Sequence, residues 1–442
     1  MTAPDVFIVG GGIAGLATAY RLRQKGVDVA LREAAERPGG RLTTIDVAGL
    51  RLDAGADSFV ARKPWAADLC RELGFQLERP DVSGSLLWTD EGLVPFLKDS
   101  PFGIPCDIGD AMRWPGLTRA GRLRALRDLV SRKKNDDVEE TLGAFLRRRL
   151  GDEATDVALG PLLGGLFAGD VDRLSARATF PELVAWERLQ GSLIRGSQAA
   201  RRVAAREAVG PMFVRPRGGV ACLPEALARV LDTSVECGEP VGALPNAPLV
   251  VIATPAFEAA RLLRDIAPDA AEGLDGIRYV STSVVALVYP EETGSRLPEA
   301  TGVVVPRGKA AFTACTFLSK KWPEASFGSR AVIRCYVGAD GEEEILEAAD
   351  ADLIDACARH LSAVLDLPAR VGHGAVHRWQ RSMPQYEPGH EERVSQIREA
   401  LPPGILLVGN AYDGVGVADT IRAANETAER AAGFLRVGEA VT

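Results

Sequence analysis

The chain has 442 residues, of which 46% are hydrophobic and 25% charged, and its formal net charge is -8. These proportions are close to the average of soluble globular proteins, and they exclude a disordered chain, a collagen-like chain and a coiled coil. At about 100–200 residues per domain, the length allows two to four domains. A mildly acidic protein is a poor candidate for binding nucleic acid over its whole surface.

The cysteines and the first residues favour a cytoplasmic protein. No apolar run reaches the roughly 18 residues needed to span a bilayer, and the strand-like run that starts at Val6 leaves no room for a signal peptide. The seven cysteines are odd in number and form no close pairs. This spacing favours reduced, mostly buried thiols over a disulfide framework or a zinc site.

The first strong motif is a glycine-rich turn between a strand and a helix. Residues 6–9 form a short β-branched and aromatic run, and Gly10, Gly12 and Gly15 then fit the pattern G-x-G-x-x-G. A helical pattern follows over residues 16–25. Gly10 permits the tight turn, Gly12 lets the backbone approach a pyrophosphate, and Gly15 lets the helix pack closely on the strand.

An acidic residue completes this fingerprint. A second strand is predicted over residues 27–31, and Glu33 lies just beyond it. Its carboxylate can accept hydrogen bonds from ribose hydroxyls, while the helix N-terminus attracts the phosphates. The strand, helix and acid together predict a dinucleotide site, against the alternative of a purely structural glycine turn.

The residues after Glu33 favour FAD over NAD. The pair Gly39-Gly40 is followed by Arg41, and Asp53-Ala54-Gly55-Ala56 forms another tight turn. A glycine pair with an arginine so soon after the ribose acid suits a second loop over the pyrophosphate and flavin, whereas an NAD domain normally enters its next helix here. The alternative for the glycine pair is an ordinary hairpin turn.

Two distant segments complete the predicted site. Residues 406–410 read as a strand ending in Gly409-Asn410, with a loop over 411–419 and a helix over 420–434. The N–H groups of such a loop can face the flavin edge that gains negative charge on reduction. A third piece, residues 217–255, contains a predicted helix over 223–231 and predicted strands over 235–241 and 249–255. The nucleotide domain is therefore predicted to consist of three separated segments.

Several further runs make the pattern specific. They are residues 56–64, 164–175, 180–181 with 191–196, 320–323, 383–386 with Gly389-His390, and 409–417. Together with the glycine motifs they resemble the FAD-dependent protoporphyrinogen/coproporphyrinogen oxidase family of the amine-oxidase-like flavoprotein superfamily, over essentially the whole chain. The runs look most like the soluble Gram-positive coproporphyrinogen III oxidase branch, which forms coproporphyrin.

The resemblance implies an α/β fold with a Rossmann-like FAD-binding domain, a mixed-sheet substrate domain and an inserted helical domain. The expected boundaries are 1–75, 209–270 and 401–442 for the FAD-binding domain, 76–98 and 271–400 for the substrate domain, and 99–208 for the helical domain. The residues expected to bind FAD are Gly10, Gly12, Ile13, Ala14, Gly15, Glu33, Ala34, Gly39, Gly40, Arg41, Leu42, Gly55, Ala56, Asp57, Val241, Ala253, Thr254, Gly409, Asn410, Val415, Gly416 and Val417.

The resemblance also implies an activity in haem biosynthesis. The expected reaction oxidises coproporphyrinogen III to coproporphyrin III, with O₂ as acceptor and H₂O₂ as product, and protoporphyrinogen IX is the alternative substrate. A flavin amine oxidase and a porphyrin-carrier protein are further alternatives, and a ferrochelatase-type partner is a possible consumer of the product. Because flavin N5 takes the hydride, no side chain and no metal is expected to be catalytic.

Basic residues for the substrate carboxylates are harder to choose. The candidates for substrate binding are Lys63, Lys98, Asp170, Arg188 and Arg195, and each cation can equally be a solvated surface charge. Residues 111–210 carry 18 Lys and Arg against 13 Asp and Glu, so this part is basic within an acidic chain. A basic amphipathic helix over residues 119–134 can attract a polycarboxylate or make peripheral membrane contact, or it can be an ordinary solvated face.

The four histidines favour no metal site. His373 and His377 are four residues apart, but the surrounding sequence is typical of an extended strand, in which the two would not share a helix face. His390 follows a glycine in a turn, where a structural hydrogen bond is expected over catalysis.

Overall fold

The computed structural model describes residues 4–134, 138–206, 210 and 212–439. Its strands are β1 (Val6–Val9), β2 (Val29–Glu33), β3 (Thr44–Val47), β4 (Leu50–Asp53), β5 (Phe59–Val60), β6 (Leu77–Glu78), β7 (Leu86–Thr89), β8 (Gly92–Pro95), β9 (Phe213–Pro216), β10 (Val235–Cys237), β11 (Leu249–Ile252), β12 (Tyr279–Val288), β13 (Gly302–Val304), β14 (Ala314–Phe317), β15 (Val332–Val337), β16 (His373–Pro384) and β17 (Ile405–Leu407).

The helices follow the same chain order. They are α1 (Ile13–Gln24), α2 (Pro64–Glu72), α3 (Ile108–Met112), α4 (Arg119–Leu126), α5 (Leu142–Leu150), α6 (Gly160–Gly165), α7 (Ala176–Thr179), α8 (Pro181–Gln190), α9 (Leu193–Arg206), α10 (Cys222–Leu231), α11 (Ala256–Leu263), α12 (Pro268–Asp275), α13 (Leu318–Lys321), α14 (Asp350–Ser362), α15 (His390–Glu399) and α16 (Val417–Glu439).

A parallel five-stranded sheet forms one layer of the molecule, in the order β10-β2-β1-β11-β17. All four residues of β1 and of β11 are buried, as expected for strands covered on both faces. Val6 and Ile8 pack with α1, α10 and α16, while Phe7 and Val9 pack with α11 and α12. Three separated parts of the chain therefore build one sheet.

A mixed seven-stranded sheet forms a second layer, in the order β16-β12-β15-β14-β13-β7-β8. One face packs against α14, and the other packs against the β3–β4 hairpin and α13. The only parallel pair among these described strands is β13 with β7. The β12–β16 ladder shifts register between Val280 and Thr282, opposite Arg381, whose φ is +44°.

Helices α3 to α9 pack around a separate hydrophobic core, and we call these helices together with their core the helical region. Its centre contains Trp114, Phe145 and Leu150, all fully or almost fully buried. Among the described residues, no helix is long and apolar enough to cross a membrane. Helices α3 to α9 lie between residues 108 and 206, inside the range 99–208 expected for the helical domain, and the domain boundaries themselves stay predictions.

Several predicted boundaries were wrong. The strand predicted over residues 235–241 ends at Cys237, and the second strand runs to Glu33 instead of stopping at residue 31. The basic helix predicted over 119–134 is α4 followed by a 3₁₀ turn at Arg127–Leu129. Asp128, in that turn, is completely buried, whereas Arg119, Arg127, Arg132 and Lys133 are exposed, so the alternative of a solvated face stays open.

Candidate functional site

The glycine turn before α1 leaves open space beside the helix N-terminus. Gly10 has φ +107°, and a Cβ on Gly15 would lie 2.0 Å from the carbonyl oxygen of Gly10. A Cβ on Gly12, in contrast, would meet no atom within 4 Å. Gly12 is the N-cap of α1, and no side chain caps this helix. Its first N–H groups are therefore available to an anion.

The carboxylate of Glu33 lies against this turn. It accepts hydrogen bonds from the backbone N–H groups of Gly11, at 2.6 Å, and Ala35, at 2.8 Å. Glu33 is the last residue of β2, and its neighbour Ala34 is exposed. The acid thus lies at the carboxyl end of the sheet next to the turn, where the sequence predicted a ribose ligand.

The second glycine loop packs directly on the first. Gly39 donates its N–H to the carbonyl of Gly11 at 2.8 Å and forms a bridge with Gly12. The φ angle of Gly39 is +125°, and a Cβ there would lie 2.7 Å from the carbonyl oxygen of Leu42. The loop therefore lies beside the open space at Gly12, and glycine is required for its conformation.

Arg41 ends this loop as a cation without a partner. No hydrogen bond or ion pair joins its guanidinium to any residue that the structure describes. Burial lowers the pKa of Arg41, and the phenols of Tyr279 and Tyr386 are close enough to oppose that shift. A largely desolvated guanidinium without a partner among the described residues is suited to an anionic ligand. Arg41 follows directly on Gly40, where a Cβ would lie 3.2 Å from the Cα of Gly12.

The turn at residues 53–58 connects this loop to the mixed sheet. A Cβ on Gly55 would lie 1.9 Å from the carbonyl oxygen of Arg41. Arg334, on β15, donates to the carbonyl oxygens of Asp53 and Gly55. Trp379, on β16, donates to the carbonyl of Ala54 at 3.1 Å.

Asp57 carries a buried charge cluster in this turn. Its carboxylate accepts bonds from the Nζ of Lys321, at 3.0 and 3.2 Å, and from the hydroxyl of Ser58, at 2.8 Å. Arg334 lies 3.4 Å from it. Burial alone would raise the pKa of Asp57, but the two cations outweigh burial and hold that pKa well below its usual range.

Two residues after β11 close the other side of the glycine turn. Ala253 donates its N–H to the carbonyl of Val9 at 2.8 Å, and a Cβ on Gly10 would meet its carbonyl at 3.0 Å. Thr254 follows before α11. Val241 precedes β11 in the chain and is half-buried, and its carbonyl accepts a hydrogen bond from Arg261.

The C-terminal loop, residues 409–416, lies between β17 and α16. Gly409 has φ +148°, and Val408 just before it bonds to the carbonyl of Ile252 in β11. Tyr386 bonds to the backbone of this loop at Asn410 and Gly414. Val415 and Gly416 then lead into the first turn of α16, which begins at Val417. We call this segment the C-terminal loop below.

Of the proposed substrate-binding residues, Lys63 lies nearest to that loop. Its Nζ donates to both carboxylate oxygens of Asp419, at 2.8 and 2.7 Å, in the first turn of α16. Asp170 accepts the N–H of Asp172 at 2.9 Å, as a turn-capping aspartate does, and lies 3.6 Å from Arg307.

The other three are exposed. Lys98 lies in the loop after β8, while Arg188 and Arg195 lie on α8 and α9. Within the described residues, no hydrogen bond or ion pair joins any two of the five. Their roles in substrate binding stay predictions.

The extended arrangement predicted for His373 and His377 is confirmed, whereas the Nε2 of His390, for which a structural hydrogen bond was expected, has no hydrogen-bond partner among the described residues. His373 and His377 are on strand β16, and His390 is buried and stacked on Tyr386 at 3.9 Å between ring centroids. Burial, together with the charge of Arg393, lowers the pKa of His390 to about 4. In the parts of the chain that are described, no group of His, Cys, Asp and Glu is arranged to hold a metal ion. All seven cysteines are free thiols, and five are buried.

Sequence reasoning missed three side chains that connect these parts: Lys321, Arg334 and Tyr386. Lys321 and Tyr386 lie in runs that carried the resemblance, but none of the three residues received a role. A signal was present for Arg334, because it is a lone charge inside the apolar strand Val332–Val337. A charge in a buried strand indicates a buried partner.

Residues 13–432 match the protein family described as flavin containing amine oxidoreductase. The chain belongs to this family. The coproporphyrinogen III oxidase of Bacillus subtilis (strain 168) is 32% identical over 449 residues, which cover 94% of this chain and 95% of that protein. The resemblance predicted from the motifs is confirmed.

Two solved structures have the same fold as this chain. One, described as a candidate protoporphyrinogen oxidase from Exiguobacterium sp. 255-15, gives a TM-score of 0.84 at 29% identity and covers 97% of this chain and 99% of its own. The other, a putrescine oxidase variant, gives a TM-score of 0.73 at 17% identity and covers 97% of this chain and 99% of its own. The predicted α/β flavoprotein fold is thus confirmed.

The chain is an oxidoreductase with FAD as its cofactor. The open space at Gly12, the uncapped N-terminus of α1 and the unpaired guanidinium of Arg41 fit a pyrophosphate-bearing dinucleotide. Which of the predicted residues contact FAD stays a prediction.

Proposed function

We propose that the protein oxidises a porphyrinogen, namely coproporphyrinogen III to coproporphyrin III, in haem biosynthesis. The observation that carries this proposal is the 32% identity to a coproporphyrinogen III oxidase over nearly the full length of both chains. The open glycine turn and the guanidinium of Arg41, which has no partner among the described residues, support this proposal. Together they offer a binding site for the cofactor that such an oxidation needs.

We propose that the cofactor lies across the two glycine loops and the C-terminal loop. Gly12 and the N-terminus of α1 would receive the pyrophosphate, Glu33 the adenosine ribose, and the first turn of α16 the flavin ring. When bound, FAD supplies the hydride acceptor, and O₂ as terminal oxidant gives three H₂O₂ for each porphyrin formed.

The protein's own part is to bind, orient and exclude water. Each of the three oxidations removes a hydride from a bridging carbon and one proton from the macrocycle. Over the three rounds, two of the protons leave pyrrole nitrogens, which become more acidic as the carbons are oxidised, and one leaves a bridging carbon. The site therefore needs little acid–base power. The buried tyrosines Tyr279 and Tyr386 lie near Arg41 and support an apolar environment for the macrocycle.

Lys63 is our first choice for a substrate carboxylate. It lies beside the C-terminal loop, and its side chain is one-third exposed even while paired with Asp419. A substrate with four carboxylates also suits the basic helical region better than one with two. Arg188, Arg195 and Lys98 remain candidates for guiding the substrate from the surface.

Protoporphyrinogen IX is the second candidate substrate, and the description of the Exiguobacterium structure favours it. Contact with a ferrochelatase-type partner and peripheral membrane contact remain predictions.

The deciding experiment offers coproporphyrinogen III and protoporphyrinogen IX separately to the purified holoenzyme in air. Porphyrin fluorescence and H₂O₂ are measured together, and spontaneous oxidation without protein is subtracted. We expect a higher kcat/KM for coproporphyrinogen III and three H₂O₂ per porphyrin. A higher value for protoporphyrinogen IX would reverse the substrate preference, and no oxidation of either would refute the function. Bound porphyrin without bleaching of the flavin would identify a carrier.

A further inference from the structure

Residues 385–390 connect the three parts of the molecule. The backbone N–H of Gln385 donates to the carbonyl of Arg278, next to the mixed sheet, at 2.8 Å. Its side-chain amide donates to the carbonyl of Phe167 in the helical region, at 3.0 Å. The carbonyl of Tyr386 accepts the N–H of Ser175, at 2.7 Å. This segment is therefore fixed from two sides before it reaches the C-terminal loop.

The hydroxyl of Tyr386 joins the two halves of the C-terminal loop. It donates to the carbonyl of Asn410 at 2.7 Å and accepts the N–H of Gly414 at 2.9 Å. A single buried oxygen thus holds two backbone groups four residues apart. Burial raises the pKa of this hydroxyl well above its ordinary value, so it stays protonated and can keep both roles at any working pH.

The ring of Tyr386 has little freedom to move. It is 3% exposed, stacks on His390 with an interplanar angle of 15°, and lies 5.8 Å from the ring of Phe167. The Tyr386 hydroxyl is therefore held in place against the backbone of the C-terminal loop at Asn410 and Gly414.

We propose that Tyr386 is a positioning residue for FAD, which sets the conformation of the C-terminal loop and so directs the N–H groups before α16 toward the flavin. The proposal rests on the proposed placement of FAD, but not on the identity of the substrate. Without the hydroxyl, the carbonyl of Asn410 and the N–H of Gly414 lose their common partner, and the loop can open. The flavin then loses directed donors at its electron-rich edge.

The test replaces Tyr386 by Phe in the full-length holoenzyme and measures release of FAD on dilution, the visible flavin spectrum, and hydrogen exchange of residues 409–416. We expect the dissociation constant of FAD to rise about tenfold, as for the loss of buried hydrogen bonds to one group. We also expect a shifted flavin band and faster exchange confined to the C-terminal loop. A purely structural tyrosine would lower the melting temperature without moving the spectrum.

Tyr289→Phe is the matched control. Tyr289 is 1% exposed, and its hydroxyl has no hydrogen-bond partner among the residues described. Its removal should leave FAD affinity, spectrum and loop exchange unchanged. An unchanged FAD affinity and spectrum in Tyr386→Phe would overturn the proposal, even if loop exchange rises.

His390→Ala tests the same loop through the ring that stacks on Tyr386, should Tyr386→Phe not fold. It removes that stack and keeps the Tyr386 hydroxyl, so we expect a smaller rise in the FAD dissociation constant. No effect of this variant on FAD affinity or on exchange of the loop would contradict the proposal. Because no substrate is used, failure of the porphyrinogen assay would not affect these results.

Discussion

The helical region and the turn beside the candidate FAD site each contain a buried carboxylate that is paired with cations. The two clusters differ in the parts of the molecule that they join. In the helical region, Asp128 pairs with Arg149, and both side chains are completely buried. The same carboxylate accepts bonds from Ser192 and the N–H of Ile194, at the start of α9. This cluster joins helices of one region.

Beside the candidate FAD site, Asp57 pairs with Lys321 and Arg334, which belong to the other layer of the molecule. The comparison indicates that two similar buried ion pairs can affect different properties of the protein. The first cluster should determine the stability of the helical region, and the second should determine where the turn at residues 53–58 lies relative to the mixed sheet and the cofactor.

The largest expected effect is that of Arg149→Met. It leaves Asp128 buried without its cation, which should reduce the free energy of unfolding by about 3–5 kcal/mol. Chemical denaturation followed by circular dichroism measures this loss, and FAD absorbance should persist until the protein unfolds. Arg113→Met, in the same region, is the control, because Arg113 is 75% exposed in its ion pair with Asp110 and its loss should cost about 1 kcal/mol or less. Equal losses for the two variants would refute the distinction.

Asp57→Asn should combine a loss of stability with a loss of FAD. The variant leaves Lys321 and Arg334 without their anion, so we expect a cost of a few kcal/mol and a lower flavin content in the purified protein. If the flavin content stays at the wild-type level, the two clusters do not differ in the way argued above. Asp90→Asn, at an exposed residue paired with Lys309, is the control and should change neither quantity.

The same variant has a defined pH dependence. The pKa of Asp57 is lower in the folded protein than the value of about 3.9 in unfolded chains, so its charge stabilises the fold above that pH. The stability difference between wild type and Asp57→Asn should be constant above about pH 5 and should shrink as the pH falls below about 4. A difference that grows on acidification would contradict the ion-pair assignment.

Gly12→Ala should have the smallest effect on stability and a selective effect on the cofactor. The new methyl group would meet no protein atom within 4 Å, so the melting temperature without FAD should change little. If the pyrophosphate lies in that space, FAD affinity should fall about tenfold or more, because the methyl group would keep the backbone and phosphate apart. Gly15→Ala is the contrasting variant, since its methyl group would collide with the carbonyl of Gly10 and destabilise the fold itself. Unchanged FAD affinity in Gly12→Ala would place the phosphates elsewhere.

The parts that sequence predicted well are those fixed by neighbouring residues. The glycine turn, α1 and the strands on either side follow from local pattern, and so does the strand that keeps His373 and His377 off a common helix face. The parts that it missed are set by contacts between distant residues. Lys321 meets Asp57 across 264 positions, and Arg334 reaches the carbonyl of Gly55 across 279. No local pattern specifies such pairs.

The basic run after residue 119 shows the same limit. The run was predicted as one helix over residues 119–134, yet α4 ends at Leu126 and a 3₁₀ turn follows. Arg124 donates to the carbonyls of Arg147 and Arg148, and Asp128 pairs with Arg149. The local charge pattern does not specify these contacts with a neighbouring helix.

The order of strands in the parallel sheet has a consequence for synthesis of the protein. Strand β1 lies between β2 and β11, and α1 is covered by α16. The partner strand β11 is synthesised more than 200 residues after β1, and α16 is synthesised almost 400 residues after α1. At 5–20 residues per second, α1 would stay uncovered for roughly 20–80 s on the ribosome. The helical region, whose helices are continuous in sequence, can form during that interval. Nascent chains should therefore show an early protease-resistant helical fragment, while the nucleotide-binding sheet becomes resistant only after α16 is made.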